Sequence, residues 1–310
     1  MSNVIKLGTH SGPFHADDVI AGAILIDLYD EAAFVRSRNP AVLAECEVVW
    51  DVGGVYDPDA KRYDHHQAGC KASWPGTDAL LSSAGMVWLH HGYSFLDSLD
   101  VPEEHMEEVR DRVYLEMICH IDAIDIGVGP LTAEAHIGGT LSRALGLLNP
   151  PRGSSEDEEL DRFCAAVEFG REVLAGKVRE VSQDIADRQL AVDLSSTGEE
   201  IVLIEQPLSA ILFSEVSEHV KLLVYPSGNQ WMVQCVPPKG QPFNQRHPLP
   251  GAWKGRRGPG LAELLADGPA KDEALADEAG ATCFVHNFRF IGGTKTKEGA
   301  LDLARQALAL

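Results

Sequence analysis

Two short runs in this chain concentrate side chains that bind metals. GTHSGPFHADD (residues 8–18) sets His10, His15 and Asp17 in the pattern H-x-x-x-x-H-x-D, with Asp18 adjacent. RYDHHQ (residues 62–67) gives Asp64, His65 and His66 in succession, and Asp51 closes the apolar run between them. Asp122 and Asp125 follow in HIDAIDIG. Imidazoles and carboxylates without thiolates suit Mn²⁺ or a similar divalent ion better than a structural zinc. There are more ligands than one ion needs, so the pattern implies two ions sharing a carboxylate. Such a pair, about 3.5–4 Å apart, is the usual device for phosphoryl hydrolysis.

Each residue alone has an ordinary explanation. Asp17 and Asp18 complement a helix dipole, Asp51 caps a turn, and His15 packs in a core. His90 and His91 before Gly92 read as helix C-terminal imidazoles, and His120 as packing. A metal site accounts for the two runs and Asp51 together.

The elements must bring these runs to one place. NVIKLGTH reads as a strand, ADDVIAGAILIDLY as a helix, and FVRSR and CEVVWDVGG as two further strands. LSSAGMVWLHHG reads as a helix with a Ser start and a Gly stop, and residues 102–127 as one long amphipathic helix. Strands alternating with helices imply a parallel sheet covered on both faces. The carboxyl ends of its strands face one crevice, where ligands bind. A polar stretch at NPPRGSSEDEE marks a boundary. The expected organisation is a metal-binding catalytic domain over 1–153, a connecting helix over 154–192 and a substrate-binding domain over 193–310. In the last of these IVLIEQ, SAILFSEV, KLLVYP, WMVQCVP and CFVHNF read as strands, closed by a helix in KEGALDLARQALAL.

The 310 residues, 45% hydrophobic, are enough for two α/β domains. No apolar run is long enough to cross a bilayer, and MSNVIKLGTHSG lacks a secretory h-region. Six scattered cysteines without a C-x-x-C pair read as buried thiols of a cytoplasmic protein. The net charge of −21 opposes long nucleic acids and anionic membranes. It hides two acid-free segments, 226–262 and 282–297, which carry Lys239, Arg246, Lys254, Arg256, Arg257, Arg289, Lys295 and Lys297. In the first of them Arg246, Arg256 and Arg257 surround Trp253, a combination able to pair phosphates and stack a base, although Trp253 equally suits a core. In the second, FVHNFRFIGGTKTKEGALDLA reads as strand, Gly-Gly turn and helix start. Gly292 and Gly293 would allow close backbone approach to an anion, with Thr294 and Lys295 adding a hydroxyl and a charge. The same string is also an ordinary turn. No Walker A pattern occurs.

HSGPFHADD, VVWDVGG, YDHHQ and IDAIDIG follow the order of the four motifs of the DHH phosphoesterase superfamily. With WDVGGVYDPDAKRYDHHQ, LSSAGMVWLHHG and FIGGTKTKEGAL, nearly the whole chain resembles its Myg-type exonuclease branch. The resemblance implies a DHH-phosphoesterase-like fold of two α/β domains with a cleft between them. It also implies that His10, His15 and Asp51 hold one metal. Asp17, Asp51, His65 and Asp122 hold the other, with Asp125 as the alternative to Asp122. Asp64 would orient His65, and His66 would reach the scissile phosphate. His286 and Arg289 would contact the phosphate backbone, beside the glycine-rich segment that grips substrate. In the wider superfamily the place of His15 is usually an Asp, one residue closer, so Mn²⁺, Mg²⁺ and Co²⁺ all stay open. The implied activity is 3′→5′ exonuclease action on RNA or short oligonucleotides, and the net charge favours short ones. Hydrolysis of a cyclic dinucleotide, nucleotide or pyrophosphate is the alternative reaction. A non-catalytic metal- and nucleotide-binding regulator is the alternative class, and an amide hydrolase of another fold a weaker third. Oligomeric state is not legible.

Overall fold

The structure, a computed structural model, describes residues 4–128, 140–206 and 208–310. The reading of the N-terminus falls partly on residues 1–3, outside the described residues. The chain divides into two compact units, Met1–Gln183 and Asp184–Leu310.

In the first unit, strand β1 (Ile5–Thr9) leads through the His10–His15 loop into helix α1 (Ala16–Ile26). Strand β2 (Ala32–Arg36), the single turn α2 (Pro40–Leu43) and strand β3 (Val48–Trp50) follow, then the short strands β4 (Tyr56–Asp57) and β5 (Arg62–Tyr63). The sheet order is β2-β1-β3-β5-β4. The pairs β1/β2, β1/β3 and β3/β5 are parallel, whereas β4 pairs antiparallel with β5 at the edge. The expected parallel sheet therefore carries one antiparallel edge strand. Helix α1 is buried at ten of its eleven positions, from Ala16 to Leu25. A helix apolar on almost every side belongs inside a core, so Asp17 and Asp18 are not solvated dipole partners.

Helix α3 (Ser83–Ser98) does not stop at Gly92. A Cβ at Gly92 would lie 3.2 Å from Trp88 and 3.3 Å from Arg110, so this glycine serves helix packing and not termination. His90 and His91 are thus mid-helix, 2.7 Å from the Tyr56 and Tyr63 hydroxyls. The expected long helix over 102–127 is helix α4 (Glu103–Val113), a π-helical turn (Tyr114–Ile118) and helix α5 (Cys119–Asp125). Helix α6 (Leu141–Gly146) precedes helix α7 (Glu156–Ser195). Most of α7 packs as part of the first unit, burying Phe163, Ala166, Val167 and Leu174, and not as a bare connector.

The second unit has strand β6 (Ile201–Leu203), helix α8 (Ala210–Val216), strands β7 (Leu222–Ser227) and β8 (Gln230–Cys235), and helices α9 (Gly258–Ala262) and α10 (Pro269–Ala276). Strands β9 (Phe284–Val285) and β10 (Ile291–Thr294) and helix α11 (Lys297–Ala309) complete it. Its sheet, β6-β7-β8-β10-β9, is antiparallel except for β6/β7. SAILFSEV, expected as a strand, is α8. Ala210, Phe213 and Ser214 are its buried residues, at i, i+3 and i+4, and the Ser209 side chain accepts from Ile211 N. Eight residues suit either period, and the cap decides for the helix.

Candidate metal centre

The centre lies in the first unit, around the carboxyl ends of β1 and β3. His10, just beyond β1, is 2% exposed, and its Nε2 lies 3.2 Å from both Asp18 Oδ2 and Asp51 Oδ2. Asp51 directly follows β3 in the left-handed backbone region, with φ of +56°. A non-glycine residue pays for that conformation, and such strain collects at functional sites. It is held by Asp51 N donating to Tyr63 O and by Ser83 Oγ donating to Asp51 Oδ1 at 3.1 Å. His65 Nδ1 is 3.7 Å from Asp51 Oδ1, and His65 Nε2 is 2.9 Å from Asp125 Oδ2. His15 is largely exposed, with Nδ1 3.9 Å from Asp125 Oδ1.

The ligand atoms fall into three overlapping groups, each within 4.8 Å: His10, His15 and Asp51; His15, Asp17 and Asp125; Asp51, Asp64, His65 and His66. Asp51 and His15 each belong to two of them. The set expected around one ion, His10, His15 and Asp51, is together. For the other ion the structure brings Asp125 to Asp17 and His65.

Asp122 is engaged elsewhere. Its Oδ1 accepts from Ser82 N, Ser82 Oγ and Gly85 N at 3.2, 2.6 and 3.0 Å, so it caps the start of α3. A Cβ at Gly85 would collide with Asp122 Oδ2, so only glycine fits there. Burial pushes the Asp122 carboxyl up to about 7 despite these donors. Asp122 Oδ1 is thus committed to α3, and the three groups of ligand atoms include Asp125 and not Asp122.

The expected partner of Asp64 is corrected. Asp64 Oδ1 lies 2.7 Å from His66 Nδ1 and accepts from His66 N at 3.1 Å, while Oδ2 accepts from Gly54 N at 2.5 Å. Asp64 therefore orients His66. Gly53 and Gly54, with φ of +102° and +69°, make the turn that delivers the Gly54 amide.

The electrostatics explain why a cation fits. Asp17 is fully buried, and neither of its carboxylate oxygens has a hydrogen-bond partner. Burial, then the charges of Asp51, Asp125 and Asp18, raise it well above the carboxylate range. Burial likewise raises Asp51, against the His10 hydrogen bond. Burial opposes a charge on His10, but Asp18 and Asp51 outweigh it and raise the imidazole to about 10. His65 is raised and Asp125 lowered, in each case against burial, chiefly by their mutual hydrogen bond. Buried carboxylates without donors are costly unless neutralised, and divalent cations supply the missing charge.

Sequence reasoning missed Asp18, Ser83 and Gly54. Asp18 Oδ1 accepts from Thr9 Oγ1 at 2.7 Å and Trp50 Nε1 at 3.1 Å, fixing the carboxylate beside His10. Only the pairing of two acids in an otherwise apolar helix could have signalled it. Ser83 carried no signal beyond a helix start.

The second unit corrects several expectations. Gly292 and Gly293 lie inside β10, paired with both β8 and β9, and form no turn. The amides before α11 already hold an anion. Lys295 N and Thr296 N donate to Glu273 Oε2 at 2.8 and 3.1 Å. Thr294 is buried, its hydroxyl donating to Thr296 O, while Lys295 is exposed. Trp253 is 1% exposed within the core cluster and cannot stack a base. Arg246 donates to Val220 O and Ser214 O and so braces the fold. Arg289, at φ +62°, donates to Leu249 O, and His286 packs against Phe288 and Phe290.

Residues 6–308 match the family model MYG1_exonuc, described as an uncharacterised protein family (UPF0160). The chain belongs to this family. The MYG1 exonucleases of Rattus norvegicus and Homo sapiens are each 33% identical over 337 residues, covering 98% of this chain and 84% and 86% of theirs. A MYG1 protein of Schizosaccharomyces pombe is 31% identical, covering 99% of this chain and 98% of its own. A pGpG-specific phosphodiesterase structure covers 85% of this chain and 88% of its own at 13% identity and a TM-score of 0.30, too weak a likeness to bear on fold or activity. As a MYG1-family member the chain is a phosphoesterase. No described helix is long and apolar enough to cross a membrane.

Proposed function

We propose that this MYG1-family protein is a divalent-metal-dependent 3′→5′ exonuclease of RNA or short oligonucleotides, working with two Mn²⁺ ions. The observation that carries the reading is Asp51, a strained carboxylate shared between the His10–His15 group and the His65–His66 group. The names of the relatives supply the nuclease, and the orphaned carboxylate of Asp17 supports the metals.

His10, His15 and Asp51 would hold one ion, and Asp17, Asp51, His65 and Asp125 the other. Bound there, the ions would acidify water and stabilise charge on the phosphoryl oxygens. Ser83 fixes Asp51 before any ligand arrives, so that ligand position costs little reorganisation. His66 has Nδ1 on Asp64 and a side chain 60% exposed. Its Nε2 would meet the scissile phosphate and pass a proton to the departing ribose oxygen. Lys254, Arg256 and Lys295, all exposed in the acid-free segments, would pair substrate phosphates. Six free cysteines suit a reducing cytoplasm.

The test uses Mn²⁺ and 5′-labelled single-stranded RNAs from dinucleotides to about twenty nucleotides, a length at which charge screening matters. Stepwise release of mononucleotides from the 3′ end, abolished by His65→Ala and by chelation, is the expected result. No cleavage of any RNA, with cleavage of a cyclic dinucleotide or pyrophosphate, would replace the nuclease by a small-phosphate hydrolase.

A further inference from the structure

With Trp253 in the core, the stacking function expected of the acid-free segments has no aromatic where the sequence placed it. Two others are available. Phe243 is 93% exposed and Phe288 76% exposed. Isolated exposed apolar residues are common, but these two aromatics line one cavity of about 650 Å³, wholly within the second unit. That volume lies in the range of small-molecule pockets, about 300–1,000 Å³.

We propose that this cavity binds one unpaired nucleobase of the oligonucleotide substrate, stacked on Phe243 and Phe288 and recognised along its edge by Gln234, Asn244 and Gln245. The proposal rests on the nuclease reading and adds to it a site for the base, distinct from the metal centre.

Three features favour this occupant. First, Phe288 belongs to an aromatic cluster at the cavity wall. Phe288 N donates to His286 Nδ1, and the His286 ring lies 5.7 Å from Phe288 and 4.8 Å from Phe290, which also lines the cavity. Second, the polar groups at the rim are neutral amides. Gln234 Oε1 accepts from the Tyr225 hydroxyl at 2.8 Å, which sets the orientation of its amide. Asn244 Nδ2 donates to Gln241 Oε1, and Gln245 Nε2 to Phe243 O. Amides offer both a donor and an acceptor, as the edge of a base requires. Third, the charge is right. In a protein of net charge −21 the cavity lining contains no Asp or Glu, and apart from Ser209, Ala210 and Ile211 it falls in the two acid-free segments. An apolar peptide would need no such exclusion of carboxylates. A polyanion bearing aromatic bases does.

The test is equilibrium binding of a fluorescent single-stranded RNA pentamer in chelator, so that turnover is not required. Stacking contributes about 1–3 kcal/mol per base, or roughly 5- to 150-fold in affinity. Phe243→Ala and Phe288→Ala are each expected to weaken binding within that range, and the double variant by more, with far-UV circular dichroism unchanged. A pentamer of abasic sugar phosphates should bind the wild-type chain about as weakly as RNA binds the double variant. Equal RNA affinity in wild type and double variant, equal affinity for the abasic pentamer, or no measurable RNA binding would each overturn the proposal. A larger assembly of the wild type that dissociates in the double variant would also overturn it, by making this face a contact between copies. Phe-dependent binding in chelator with no RNA cleavage when Mn²⁺ is supplied would retain the base site and reject the nuclease. Cleavage with Phe-independent binding would do the reverse.

Discussion

Two aspartates three residues apart illustrate how burial and donors separate structure from chemistry. Asp122 accepts three hydrogen bonds from the first turn of α3, while Asp125 faces His65 and stands near Asp17. Asp122→Ala leaves buried donors unsatisfied and is expected to lower stability by about 1–3 kcal/mol or more. Asp125→Ala removes a carboxylate from a crowded acidic cluster, so stability should hold while Mn²⁺ affinity falls by about 10-fold or more. Urea unfolding with calorimetric Mn²⁺ titration separates them, and the reverse pattern would restore Asp122 as the ligand. The motif runs were legible at this scale because their residue types are unusual. The division between Asp122 and Asp125 was not, because IDAID presents both acids alike. What distinguishes them is the contact with Ser82 and Gly85, about forty residues away.

At the scale of elements, α3 is the scaffold. Its N-terminus supplies Ser82, Ser83 and Gly85 to two acids, and its middle carries His90 and His91 against the β4–β5 hairpin. Burial, then His90 and Lys61, push the His91 imidazole down to about 4 from its usual 6.5. The fold favours neutral His91. Its contribution is therefore complete above pH 6.5 and is lost as pH falls through about 4. At about 1.4 kcal/mol per pKa unit this is on the order of 3 kcal/mol. Wild-type stability to urea should fall over that window, and His91→Gln should fall distinctly less. Equal slopes would show that His91 titrates freely. The strands β1 and β3 and the helix after the first loop were readable from their apolar runs. The π-turn at Tyr114–Ile118 was not, because one extra residue per turn leaves the amphipathic pattern almost unchanged while rotating the next helix, α5, which carries Asp122 and Asp125. Gly-Gly misled for a related reason. Glycine marks turns, but here it lies in β10, where a Cβ at Gly292 would come 2.9 Å from Phe284 O and one at Gly293 2.8 Å from the Phe284 ring.

For the whole molecule, the charge pattern sets which substrates can approach. A net charge of −21 repels a polyanion, whereas the acid-free segments hold cations for a few phosphates. At low salt a trinucleotide should be cleaved with a higher kcat/KM than a strand of about twenty nucleotides, and the gap should narrow as salt shortens the screening length from about 30 Å at 0.01 M to about 8 Å at 0.15 M. A preference for long strands that grows at low salt would contradict this. Charge at this scale was fully legible, since it needs only the order of residues. The antiparallel pairing of the second sheet was not, because strand direction depends on connections that composition does not record.

The most direct test of the account is to count bound Mn²⁺ by calorimetry and electron paramagnetic resonance, with RNA cleavage followed on the same samples. The expected result is two ions per chain with a spin-coupled spectrum, and activity that rises as the second ion binds. Asp51→Asn should lose the coupling and lower kcat by about 100-fold or more, as removal of a key electrostatic group does. A single uncoupled ion, or cleavage that persists in chelator or in Asp51→Asn, would contradict a two-metal centre built on Asp51.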